Sequence, residues 1–376
     1  MIVGKRIAVI GAGVAGLAVA RALAMRGARV QVLEQAEQIR EFGAGLQISP
    51  NGFAVIKALG LADDILRVGL ASQAMELRTH RGGQVLRMEL ARAGWSNPFV
   101  LIHRGNLIEV LAGGLADLGV TLTLGHKAQA AEIDADLVIG ADGVHSALRT
   151  ELNGKAEPQF SGQCAWRCIV PDDGRADGPA ESHVYMGPGQ HLVTYPLGDG
   201  RRNIVAVQER AEWAADGWSH RDHPAHLQTA FAGFAPQVRS WLGLARDVHL
   251  WGLFLYPVAP VWHDRARVLI GDAAHPTLPF MAQGANLALE DAWVLAECLN
   301  QFDQAEALQR FQATRRPRAV RAVAAAKGNA RKFHLRNPAV RFAAHNILRI
   351  GSRVAPMAPL KRFDRLYGYD PTAGVE

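Results

Sequence analysis

The stretch that decides the fold is Arg6 to Glu34, RIAVIGAGVAGLAVARALAMRGARVQVLE. Arg6 to Ile10 is a short apolar run with β-branched side chains, which suits a buried strand. The run breaks at Gly11-Ala12-Gly13-Val14-Ala15-Gly16. The Ala- and Leu-rich segment from Val14 to Met25 then reads as a helix, with Gly27 at its C-cap. Arg29 to Leu33 alternates again and ends at Glu34. Strand, glycine turn, helix and strand in that order open a doubly wound α/β domain. Gly11 permits the tight turn, Gly13 lets a pyrophosphate approach the backbone, and Gly16 lets helix and strand pack closely. Ala15 lies in the first helical turn, whose free N–H groups can meet phosphate oxygens. Glu34 falls 18 residues after Gly16, with Gln35 beside it. A carboxylate there accepts from ribose hydroxyls and repels a 2′-phosphate. An adenine dinucleotide, FAD or NAD, is therefore expected.

Outward from this core the pattern alternates between two kinds of chain. Pro50 to Leu61 and Arg104 to Leu118 read as helices, and Ala135 to Ile139 as a strand returning to the first domain. Ser72 to Leu90 alternates around Gly82-Gly83, a hairpin signal. From about Phe160 to Pro257, short β-rich runs are separated by Gly, Pro and Asp turns, with one helix near Pro224–Phe234. Arg267 to Ile270 is a strand again, and a helix follows from about Gly284 to Leu299. The expected architecture is a Rossmann-type α/β domain made of residues 1–70, 98–158 and 260–312. An antiparallel β-sheet substrate domain, residues 71–97 and 159–259, is inserted into it, and a helical basic tail covers 313–376.

The 376 residues suit two closely packed domains, and a 49% hydrophobic fraction with 20% charge fits a soluble globular chain. No run of about 18 apolar residues predicts a membrane span, and the first residues lead straight into a strand without a secretory leader. The three cysteines, Cys164, Cys168 and Cys298, lack the spacing of a zinc site. Cys164 and Cys168 read as buried free thiols, a reducing cytoplasm fits, and no metal is expected. The net charge of +6 is concentrated at the end, where Arg315 to Arg365 holds fourteen lysines and arginines against one acid, Asp364. That stretch reads as a helical tail whose arginines face solvent and pair with acids elsewhere. Nucleic acid is not expected as a partner, nor is a membrane: Gly351, Pro356 and Pro359 break the tail too often for one long amphipathic helix.

Two further motifs choose between FAD and NAD. Asp136-Leu137-Val138-Ile139-Gly140-Ala141-Asp142-Gly143 places an Asp-Gly after a buried strand. Gly271-Asp272-Ala273-Ala274-His275-Pro276 does the same and continues through Pro279 to Gln283-Gly284-Ala285-Asn286. Asp272 at a strand end can accept from a ribityl hydroxyl. The helix starting near Gly284 can meet negative charge on a flavin carbonyl.

With these three motifs in this order, the chain resembles the class A flavoprotein monooxygenases, a family of aromatic-ring hydroxylases. The likeness extends over roughly residues 5 to 320. It includes Gly43-Ala44-Gly45-Leu46-Gln47 with Pro50-Asn51, His103-Arg104, Ala165-Trp166-Arg167 and Tyr195-Pro196-Leu197. The resemblance implies that Arg104 touches the flavin side of FAD and Asp272 the ribityl–pyrophosphate region. Likewise Gly284 to Asn286 should meet the isoalloxazine edge, and Glu34 and Gln35 the adenosine ribose. It further implies NADH or NADPH as a transient reductant, and O₂ that adds to the flavin C4a carbon to form the hydroxylating hydroperoxide. The implied substrate is a small phenolic or heteroaromatic acid.

Three catalytic candidates follow from that likeness. Tyr195 matches a tyrosine that assists phenol deprotonation, the alternative being an ordinary sheet aromatic. Gln47 stands where some relatives place a histidine, and an amide cannot serve as a base at neutral pH. Gln283 either donates to a substrate oxygen or caps the next helix. His191 is a further candidate, and His275 reads as a satisfied structural histidine. A hydroxylase of a lipid-linked ring is a rival with the same fold, and a flavin-binding redox or interaction protein is a rival of another class. The expected state is a monomer or homodimer.

Overall fold

The computed structural model describes residues 2–39, 44–172, 179–213, 220–355 and 357–374, apart from the side chains at 330 and 331. Gly43 and Pro356, named above, therefore lie outside the described residues.

A five-stranded parallel sheet runs in the order Arg267–Leu269, Leu137–Gly140, Arg6–Ile10, Arg29–Leu33, Thr121–Thr123. Its central strands are almost wholly buried, as a parallel sheet covered on both faces requires. The helix Val14–Ala24 packs between this sheet and the long helix Gly284–Gln301, and all three share one apolar core. Gly16 allows that packing, since a Cβ there would fall 1.9 Å from the Gly11 carbonyl oxygen.

The second sheet has eight strands, in the order His220–Asp222, Val248–Leu255, Gln159–Pro171, Arg201–Glu209, Gln190–Leu197, Glu181–Gly187, Ala74–Thr79, Gln84–Glu89. It draws on both inserted segments expected from the sequence. It is mixed rather than antiparallel throughout, because Glu181–Gly187 runs parallel to Ala74–Thr79. Those two strands come from different insertions, so no hairpin forces them to reverse. The single helix expected near Pro224–Phe234 is Pro224–Ala230, and a second helix, Pro236–Gly243, follows it. Both cover one face of the sheet, where Cys164, Trp166, Cys168, Leu192, Ile204 and Ala206 form a second apolar cluster. A small third sheet of Gly45–Ile48, Val100–His103 and Leu70–Ala71 bridges the two domains, and nothing in the sequence announced it.

The C-terminal region corrects one expectation, the break at Gly351. The helix Gln304–Phe333 runs on through Pro317. Pro338–Val354 is one continuous helix of 17 residues that absorbs Gly351. Asn337 caps it through both the Ala339 and Val340 amides, and Pro338 sits where a missing N–H costs nothing. Val340, Ile347, Ile350 and Val354, at helical spacing on its outer side, are all more than half exposed. Among the described residues no helix is long and apolar enough to cross a membrane.

Candidate active site

Between the parallel sheet and the face of the eight-stranded sheet turned away from the helices Pro224–Ala230 and Pro236–Gly243 lies a cavity of about 620 Å³. The rest of that face carries a third apolar cluster with Phe280, Ala326, Leu360 and Tyr367. Its cofactor end is built from loops at the carboxyl ends of the parallel strands, where doubly wound folds hold their ligands. Gly11 there has φ +103°, and a Cβ on it would lie 2.5 Å from the Ala141 carbonyl oxygen. At Gly13 a Cβ would meet nothing within 4 Å, so the helix N-terminus stands open to a phosphate. Glu34 is held by two amides, accepting from Ala12 N at 2.7 Å and Ala36 N at 2.8 Å. Its remaining lone pairs are free for hydroxyl donors.

Gly11, Gly13, Ala15, Glu34, Gln35, Gln47, Arg104, Asp142, Asp272, Gly284 and Ala285 all line this one cavity, as do Tyr195 and Gln283. Two expected cofactor contacts do not. Gly16 serves the helix–sheet packing, and Asn286 stands buried behind the wall. Asn286 donates to the Gln47 carbonyl at 2.9 Å and accepts from Ser49 N at 3.0 Å. It therefore shapes the loops that line the cavity. Ala282 in the same loop holds a left-handed φ of 51°, the sole described non-glycine residue with positive φ. Strain of that kind, about 1–3 kcal/mol, is tolerated where neighbours over-determine the backbone.

Asp142 accepts from Ala147 N at 3.1 Å, while its Oδ1 is buried without a partner among the described residues. Burial pushes its carboxyl above the usual range. Asp272 opens into the cavity yet is hemmed in by protein. Burial raises its carboxyl too, and His275 and Arg104 pull it partly back. Burial in turn lowers the Arg104 guanidinium, against Asp272. An unpartnered buried Oδ1, an open helix N-terminus and a carboxylate facing a buried cation are what a polyhydroxyl dinucleotide satisfies, so these residues fit FAD.

Gln283 occupies the N-cap position of Gly284–Gln301 without capping it through its side chain. Its amide instead accepts from Asn51 at 3.1 Å and donates to Ser49 Oγ at 2.9 Å. Asn51 passes the network on to Glu290, which Arg318 grips through Nε and Nη2, both at 2.6 Å. Arg315, fully buried, bridges Glu290 and Asp291. Asp291 also accepts from Gly271 N and holds His275 Nε2, so His275 is the structural histidine expected. Two arginines of the basic tail are thus buried counter-ions beneath the flavin loop. Burial pushes the Glu290 and Asp291 carboxyls up, but Arg315, joined by Arg318 at Glu290 and His275 at Asp291, outweighs it and holds both below the usual range.

The other end of the cavity is the face of the eight-stranded sheet that alternates with the Trp166–Ile204 cluster. Arg167, Val205 and Val193 stand side by side on three neighbouring strands, with Tyr195, His191 and Val207 on the same face. Leu278 and Phe280 close over them from the flavin loop. Arg167, Val205 and Val207 escaped the sequence reading as site residues. The period-two alternation of their strands was the signal that could have found them. Lys127 also lines the cavity, from a loop with no local signature. The Tyr195 phenol is pushed up by burial and pulled partly back by Arg167, so it is uncharged at neutral pH. His191 is fully buried, and its Nδ1 lies 2.6 Å from His334 Nε2. Away from the cavity, Glu76, Glu181 and His183 cluster at metal-ligand spacing, but Arg78 and Arg87 already pair with the two carboxylates.

The fold and the cavity suit a flavoprotein, and the chain's relatives are named as monooxygenases and hydroxylases of aromatic acids, which makes it a flavoprotein monooxygenase. The FAD binding domain family model matches residues 5–131 and 117–326, and the chain belongs to that family. It is 36% identical over 355 residues to 3-amino-4-hydroxybenzoate 2-monooxygenase PtmB3 of Streptomyces platensis, covering 88% of this chain and 89% of the relative. The 3-hydroxybenzoate 6-hydroxylase of Polaromonas naphthalenivorans is 32% identical, with 87% of each chain covered. Among solved structures, Klebsiella pneumoniae HpxO complexed with FAD and uric acid matches with a TM-score of 0.81 at 27% identity, over 93% of this chain and 94% of that one.

Proposed function

We propose that the enzyme hydroxylates a small ring bearing both a hydroxyl group and a carboxylate, using NADH or NADPH as the reductant. The observation that carries this reading is the second half of the cavity. Beyond the FAD residues it continues onto a sheet face that offers a phenol, Tyr195, and apolar walls, Val193, Val205 and Phe280. Relatives named for hydroxybenzoates support the same substrate class.

Bound FAD supplies the electron-carrying and oxygen-activating chemistry. Tyr195, uncharged in its buried setting, donates its O–H to the ring oxygen of the substrate and favours the ionised, electron-rich form. Gln47 contributes backbone and shape and takes no proton. Leu278 and Phe280 keep water from the reacting ring. The three described cysteines are free and buried, which suits a reducing compartment such as the cytoplasm.

The test is NADH and NADPH oxidation with a panel of hydroxylated aromatic acids, read by product mass. A substrate accelerates oxidation and yields a product heavier by one oxygen. Oxidation that is fast with no aromatic present and unaffected by any would refute the proposal. A second reading, hydroxylation of a lipid-linked ring, draws on one observation, the exposed apolar stripe on Pro338–Val354. Pelleting of the enzyme with anionic vesicles, abolished by Ile347→Asp, would favour it.

A further inference from the structure

Arg167 is a cation in an awkward place. It stands on the inner face of the eight-stranded sheet, and the surface it retains belongs to the cavity it lines. Arginines on the neighbouring strand have acids: Arg202 pairs with Asp172 at 3.1 Å, and Arg201 pairs with Asp199. Arg104, the other arginine of the cavity, is electrostatically opposed by Asp272. Arg167 has no acid partner among the described residues, and its Nε is buried without a hydrogen bond.

Taking a guanidinium out of water without a counter-charge is unfavourable, and a fold keeps such a group where something else supplies the charge. Among the described residues its one partner is an aromatic face. The guanidinium carbon sits 4.3 Å from the centroid of the Trp251 ring. Stacking fixes the plane of the fork and leaves its edge, where the N–H donors point, for a planar acceptor. Burial lowers its pKa only to about 10, so the group stays charged at neutral pH.

We propose that Arg167 is the anchor for the carboxylate of an aromatic substrate, through paired hydrogen bonds from the edge of its stacked guanidinium. This rests on the hydroxylase reading above and adds to it the residue that selects for an acid. A carboxylate matches the fork in shape and charge, whereas a carboxamide offers one acceptor and brings N–H donors against N–H donors. Tyr195 shares the face with Arg167, two residues along the strand from Val193, which stands beside Val205 and Arg167 across the sheet, and both side chains line the one cavity. Discrimination arises because a neutral analogue that fills the cavity takes water from this half-buried cation without supplying a counter-charge.

The experiment uses the FAD-loaded enzyme and two probes, benzoate and benzamide, each titrated by the change in flavin absorbance. Wild-type enzyme binds benzoate at least tenfold more tightly than benzamide. Arg167→Met weakens benzoate about 10- to 100-fold, the range of a lost charge-assisted contact, and moves benzamide less than threefold. Arg167→Lys, which keeps the charge without the fork, falls between them. Flavin content stays at the wild-type level in both variants. Equal binding of the two probes by the wild type, or a preference that survives Arg167→Met, overturns the assignment. Flavin loss in both variants also overturns it, by placing Arg167 at the cofactor. Should aromatic acids be hydroxylated while the preference ignores Arg167, the anchor alone is wrong. Should no aromatic acid be bound or oxidised, the hydroxylase reading fails with it.

Discussion

Replacing Arg315 with methionine tests the buried network under the flavin loop. The side chain is fully buried, donates from Nε to Asp291 Oδ1 at 2.7 Å, and pairs with Glu290 through Nη1. Methionine fills most of the space, so the loss is chiefly electrostatic. Glu290 keeps Arg318 and Asn51, but Asp291 is left with the Gly271 amide and His275. Removing one partner from a buried pair costs about 3–5 kcal/mol. The sign of the pH dependence is diagnostic. In the wild type both carboxyls are held low, so their stabilisation is complete above the unfolded value of about 4 and is lost as pH falls through the lower folded value. In Arg315→Met burial is no longer opposed by that cation, and a carboxyl held above its unfolded value reverses the slope. The penalty is small in acid and grows as pH rises past that value. Urea unfolding, followed by tryptophan fluorescence at pH 5 and pH 7, should give a deficit clearly larger at pH 7. A deficit below about 1 kcal/mol, or one equal at both pH values, refutes the reasoning.

Tyr195→Phe keeps the ring and removes the hydroxyl. Flavin content should hold while the hydroxylation rate falls on the order of 10²-fold, and an unchanged rate across neutral pH returns Tyr195 to a sheet aromatic. Asp272→Ala removes a carboxylate that opens into the cofactor end, so FAD affinity should drop by about 1.5–3 kcal/mol in a fluorescence titration. Unaltered affinity would show that Asp272 does not reach the cofactor.

Local chemistry was easy to read in this chain, and arrangement across distance was not. Gly11, Gly13 and Glu34 declare themselves because a phosphate-binding turn constrains glycine positions within one short segment. Asp142 and Asp272 follow from the same logic at two other strand ends. Arg167 belongs to the Ala165-Trp166-Arg167 motif, which does not by itself mark it as a site residue. Its role depends on which sheet face it takes, and that is set by its register against Val205 and the strand beyond. The Glu290–Arg315 pairing was equally hidden, since an acid on one helix and a base on the next have many possible partners. Gly351 misled in the opposite direction. A glycine costs a helix only about 1 kcal/mol, and the capped start at Asn337 with the residues on either side outweighs it.

The eight-stranded sheet has a consequence for how such an enzyme changes its diet. Neighbouring residues on one strand belong to different tasks: Trp166 and Ile204 pack under the helices, while Arg167 and Val205 line the cavity. A mutation of a cavity-lining residue on the inner side leaves the Trp166–Ile204 cluster under the two helices in place. Val193 and Val205, only partly buried, can therefore drift between small and large side chains and the acceptable ring with them, whereas Val207 is fixed in the core it shares with Leu278, Phe280 and Met281.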